Sequence, residues 1–142
     1  MAVISRTTGA LMLAYSTLYS AHFVFAALYD AGPVWTVFNV ISAAGIVIAL
    51  AANLADVRAL AGSGPDIAAR LGAHALLYAN AALAIWFFRN WVDLLALEEG
   101  ESVSVHSDVI WLVIAVLLPL VLATTGWRLW RGHGRDERPA AS

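Results

Sequence analysis

Residues 9–29 read GALMLAYSTLYSAHFVFAALY and residues 34–54 read VWTVFNVISAAGIVIALAANL, two uncharged apolar runs separated only by Asp30-Ala31-Gly32-Pro33. About 20 helical residues at 1.5 Å each cross the hydrocarbon core of a bilayer, so each run has the length of a membrane span. The Gly-Pro break predicts that the two helices turn back on one another as a tight antiparallel hairpin. Two more apolar runs follow at 71–91, charged only at Arg89 near its end, and at 109–126, with Trp127 and Trp130 at the edge of the last. The fold class predicted is all-α: an integral membrane bundle of four transmembrane helices, up-down-up-down, within residues 1–130. Residues 131–142 have too few apolar side chains to pack and are read as a disordered cytoplasmic tail.

Composition agrees. Of the 142 residues, 61% are hydrophobic and 13% charged, against roughly 45–50% and 25% in an ordinary soluble domain. The absence of cysteine excludes disulfides, iron–sulfur clusters and thiolate zinc sites. There is no lysine, and a net charge of -2 leaves no basic stripe for nucleic acid.

Arginine placement predicts orientation, because positively charged loops stay on the cytoplasmic side. Arg6, Arg58, Arg70, Arg128, Arg131, Arg135 and Arg138 fall on one side; Arg89 alone falls on the other, with Asp30, Asp93, Glu98, Glu99, Glu101 and Asp108. Both termini are therefore expected in the cytoplasm, in the plasma membrane of a prokaryotic cell. A cleavable signal peptide is the alternative for the first run, but Tyr15, Tyr19, His22 and Tyr29 in a full-length span argue against it.

The connections are read from their turn residues. Gly62-Ser63-Gly64-Pro65 is a turn, with Asp66 positioned to cap the following helix. Asn90 to Leu95, which alternates Trp and Leu with polar groups, predicts an interfacial turn, and the acidic run Glu98-Glu99-Gly100-Glu101 lies in water.

Polar groups inside the spans are costly and therefore informative. Tyr15, Tyr19, His22, Ala26 and Tyr29 recur at 4, 3, 4 and 3 residues, and Asn39, Ser42, Ala49 and Asn53 form a similar stripe on the second run. The two stripes are expected to face each other. Depths counted along the helices bring Tyr19, His22, Asn39, Ser42 and Asn80 together near the midplane as a candidate ligand or cofactor cluster. His22 and His74 differ by about 15 Å in depth, too much for both to ligate one haem. No carboxylate lies in any span to partner His22, no catalytic constellation is present, and the acidic loop matches no metal-ligand spacing. His74 is expected beside Asn53, Asp56, Arg58 and Arg70. Six Trp near the span edges form an aromatic belt.

The fourth span, nearly all Val, Leu, Ile and Ala around Pro119, is expected to face lipid or another protein. The reading this favours is a small non-catalytic accessory or assembly subunit, packed against a larger membrane complex or against copies of itself. The alternative is a binder of a lipophilic ligand or cofactor, quinone or haem, at the midplane cluster, serving electron transfer or transport.

Overall fold

The computed structural model describes residues 2–61, 66–96 and 105–132, and nearly all of them are helical. Helix α1 spans Ala2–Phe25 and is followed by a short 3-10 turn at Ala26–Leu28; α2 spans Gly32–Ala61, α3 Ile67–Leu95 and α4 Val105–Gly132. All four helices are long and apolar enough to cross a membrane. Helices α2, α3 and α4 extend beyond both ends of the runs that announce them, and α1 beyond the start of its run, whereas α1 stops at Phe25, short of the run's end.

Local chemistry explains the boundaries. Pro33 sits in the first turn of α2, where its missing N–H leaves no intrahelical bond unmade. The Asp66 carboxylate accepts from the Ala69 N–H at 3.0 Å, the cap its position predicts. The preceding turn at 62–65, the acidic run at 98–101 and the tail beyond 132 lie outside the described residues. The interfacial turn expected at Asn90 to Leu95 is absent: α3 stays helical through Leu95. Asn90 is buried there, its amide nitrogen bonded to the Trp86 carbonyl and its oxygen accepting from Ser107 Oγ at 3.0 Å on α4.

The packing order differs from the expected one. The closest backbone approaches are α1 with α4 and α2 with α3, while α4 also packs against α2 and α3. Two glycines make the first approach possible. A Cβ on Gly9 would lie 2.5 Å from the Gly126 carbonyl oxygen, and one on Gly126 would lie 2.8 Å from the Gly9 carbonyl oxygen. Small residues that let backbones meet are the usual basis of helix association in lipid, where burial of apolar surface gives no advantage.

Helices α1 and α2, expected as a tight hairpin, are held apart at the backbone by large side chains. Tyr15, Tyr19 and His22 from α1 fill the interval against Trp35 and Phe38 of α2. The predicted stripes do meet, but through aromatic rings and not through close backbones.

The expectation that α4 faces lipid is also corrected. Helix α4 is the most buried of the four, with Ile114, Leu118, Leu122 and Thr125 sealed in the centre beside Ile46, Leu83 and Phe87. Leu122 closes over Gly45 of α2, and Phe87 meets the Trp111 ring edge-on at 5.8 Å. The lipid-facing surface is instead spread over all the helices, in residues such as Leu18, Val40, Ile85 and Leu120.

The two ends of the bundle differ in charge. Arg6, Arg58, Arg128 and Arg131 gather at the end where α1 begins and α4 finishes. There Arg128 pairs with Asp56 at 3.4 Å, and Arg6 and Arg131 lie over the Trp130 and Trp127 rings. The opposite end, where α1 and α3 finish and α2 and α4 begin, carries Asp30, Asp93 and Asp108; Arg89 there lies 4.0 Å from Asp93.

Candidate functional site

All five residues singled out from the sequence are buried: Tyr19, His22, Asn39, Ser42 and Asn80. Their period turned them inward as expected. Four of them fall in three adjoining settings around Trp35 and Phe38, and Asn80 falls in none of the three.

The first is a hydrogen-bonded link between α1 and α2. The Tyr15 hydroxyl donates to the Phe38 carbonyl at 3.0 Å and lies 2.8 Å from Ser42 Oγ. Ser42 is thereby satisfied by a tyrosine on the same stripe as Tyr19, one turn away. This contact ties the two helices across their aromatic gap.

The second setting is His22. Its Nδ1 is hydrogen-bonded to the Tyr29 hydroxyl, which folds the end of α1 back onto itself across the 3-10 turn. The imidazole is clamped between Trp35, with ring centroids 4.3 Å apart, and Phe38, at 4.7 Å. Its Nε2 is buried without a partner. Nδ1 is thus engaged by Tyr29, and Nε2, the nitrogen an iron would need, is enclosed with the ring between Trp35 and Phe38. His74 is exposed on α3, with its Nδ1 bonded to the Arg70 carbonyl at 2.8 Å. Arg70 is therefore a neighbour of His74 as expected, whereas Asn53 and Asp56 turn toward α4. Asn53 and Thr125 exchange hydrogen bonds of 3.2 and 3.3 Å in the buried interior.

The third setting is a cleft of about 380 Å³ at the acidic end. Tyr19 and Phe23 of α1, Trp35 and Asn39 of α2, Leu94 of α3, and Asp108, Trp111, Leu112 and Ala115 of α4 line it. All four helices contribute, and the cleft exists because the aromatic side chains keep α1 and α2 apart. Tyr19 and Asn39 from the expected cluster thus share one cavity. Its inner wall is rigid: the Tyr19 ring stacks on Phe38 with centroids 5.9 Å apart and meets Trp35 edge-on at 5.6 Å. Asn80 belongs to none of the three; it is fully buried in α3, and among the described residues both atoms of its amide lack a partner.

Seven of the nine described lining residues escaped the sequence analysis as site residues. Trp35 and Trp111 were assigned to the aromatic belt, and Asp108 to a solvated acidic loop. Spacing carried a usable signal: Trp35 and Asn39 stand four residues apart, and Asp108, Trp111 and Leu112 stand at i, i+3 and i+4, each set on one helical face. Among the described residues, no grouping of three or more His, Asp or Glu is placed to hold a metal ion.

Comparison of the chain with models of known protein families, with curated proteins and with solved structures gave no match.

Proposed function

We propose that this chain is an integral membrane protein, threaded up-down-up-down with both termini in the cytoplasm of a prokaryotic cell, that holds a small lipophilic ligand in the cleft at its acidic end. The observation that carries the reading is the cleft itself. Ligand sites commonly enclose about 300–1,000 Å³, lined by apolar and aromatic side chains with a few polar groups that fix orientation. Here the rings of Tyr19, Phe23, Trp35 and Trp111 supply the apolar walls, and Asn39 and Asp108 supply the polar points. The inner half of the cavity is held by ring-on-ring packing, so little ordering remains to be done when a ligand enters.

The use proposed for such a site is transport or electron transfer. The accessory-subunit reading draws on the absence of charge within the spans, the minimal loops and the very apolar α4, which lies at the centre of the bundle. A subunit role remains the outcome if the cleft proves empty in the membrane.

The test is native mass spectrometry of protein extracted in mild detergent. A small molecule retained in stoichiometric amount by the wild type, and absent from Leu112→Trp, supports the proposal. Leu112 lies on the cleft wall and is 56% exposed, so the larger indole fills the cavity without overpacking the core. A protein without a small molecule but with a stoichiometric larger partner would sink it in favour of the subunit reading.

A further inference from the structure

The walls of the cleft have a common electrostatic preference. The faces of Trp, Tyr and Phe rings carry negative potential and attract a cation within about 6 Å of the ring centre. Four such residues, Tyr19, Phe23, Trp35 and Trp111, line one cavity of about 380 Å³, and among the described residues the only charged side chain lining it is the carboxylate of Asp108. From this convergence we infer that the ligand is an amphiphilic organic cation, with a quaternary ammonium or similar onium head set among the rings and beside Asp108. The inference rests on the reading of the cleft as a ligand site and specifies its chemistry.

The surroundings favour a positive charge. Asp108 occupies the first turn of α4, where an acidic side chain is ordinarily explained by the positive end of the helix dipole. Two helices begin at this end (α2 and α4) and two finish here (α1 and α3), so across the wider cavity their ends offset one another, while the start of α4 acts on Asp108 itself. The Asp108 carboxylate is then left as the dominant charge on the cavity. Arg89, the one arginine at this end, lies beside Asp93 and does not line the cleft. A neutral ligand would partly dehydrate a carboxylate and return nothing to it.

The same walls disfavour inorganic cations. Calcium takes six to eight oxygen ligands and magnesium near-ideal octahedral coordination; among the described residues the cavity lining offers one carboxylate, one side-chain amide and the Tyr19 side chain. A weakly hydrated onium ion sheds its water onto aromatic faces readily. Its apolar tail has an exit, because Phe23, Leu94 and Leu112 on the lining are exposed on the surface that faces lipid. A choline headgroup presents the same cation, but its phosphate would arrive at an end that already carries Asp30, Asp93 and Asp108. The occupant is therefore a free amphiphilic cation and not a phospholipid.

The experiment titrates the full chain in uncharged maltoside micelles with benzyltrimethylammonium and with its uncharged isostere neopentylbenzene, followed by the indole resonance of Trp111. The expected result is binding of the cation about tenfold or more tighter than the isostere, a magnitude typical of a desolvated cation among rings. Asp108→Asn removes most of that preference and leaves isostere binding unchanged. Trp111→Leu, followed at the Trp35 resonance, weakens the cation more than the isostere with the carboxylate intact, so a folding defect in one variant does not decide the matter. Equal affinity for the two probes, both lost in Leu112→Trp, would overturn the cationic ligand while leaving the ligand site standing. Binding of neither probe overturns the cationic ligand as well, and the retained-ligand measurement then decides separately whether the cleft is a site. Repetition in phosphatidylcholine nanodiscs is expected to leave the cation affinity unchanged; a clear weakening would identify the occupant as the lipid headgroup and overturn the free-cation assignment.

Discussion

Asn80 illustrates what one buried polar group costs when nothing answers it. Its amide is fully buried and neither the oxygen nor the nitrogen has a partner, and an unsatisfied buried group typically costs about 1–3 kcal/mol. Asn80→Leu, close in volume, is therefore expected to stabilise the bundle by about 1 kcal/mol in a denaturant titration; a comparable loss would mean that the amide bonds to a buried water. The opposite sign is expected for Asn53→Leu. That change ends the reciprocal exchange with Thr125 and should cost about 1 kcal/mol, within the range measured for interhelical hydrogen bonds in membranes. The sequence revealed which polar residues turn inward, since a side chain that cannot be solvated by lipid must face protein. Tyr19, His22, Asn39, Ser42 and Asn80 follow that rule. The partner each one finds was not legible, because it depends on rotamer and helix separation: His22 bonds to Tyr29 on its own chain segment, and Ser42 bonds to Tyr15 and not to any of the other four.

At the scale of elements, the association of α1 with α4 depends on Gly9 and Gly126. A Cβ on either would fall under 3.0 Å from the backbone of the other helix, so Gly126→Leu must separate the two helices. We expect a loss of about 2–3 kcal/mol, of the order seen for overpacked cores. Gly72→Ala is the control. No atom lies within 4 Å of its added methyl, and helix propensity alone favours alanine by about 0.5–1 kcal/mol. Equal destabilisation by both substitutions would contradict this account of the packing. Helix existence and type were plain in the sequence, as was the Asp66 cap, because hydropathy, length and turn chemistry act locally. Helix order was not. A run of Val, Leu, Ile and Ala suits lipid and protein interior alike, so the pattern of α4 did not distinguish a surface helix from the central one. The gap between α1 and α2 was equally hidden, since periodicity places Tyr15, Tyr19 and His22 on a face without stating how far their rings hold the neighbouring backbone away.

For the molecule as a whole, the threading proposed from arginine placement can be read with the chain's lack of cysteine. Asp30→Cys, at the acidic end, should react with a membrane-impermeant maleimide on intact cells, and Ala61→Cys, at the arginine-rich end, only after permeabilisation. The reverse pattern would invert the orientation. The charge difference between the ends, the aromatic separation of α1 from α2 and the central position of α4 together produce a cleft that none of the helices forms alone. That the cleft is a binding site is the central claim, and the most direct measurement of it is fluorine NMR of the protein labelled with 5-fluorotryptophan, with resonances assigned by single Trp→Phe changes. Addition of the apolar extract of the membranes in which the protein is made should shift Trp35 and Trp111, which line the cleft, and leave Trp127 and Trp130 at the opposite end unmoved. No shift, or an equal shift at both ends, would contradict the claim.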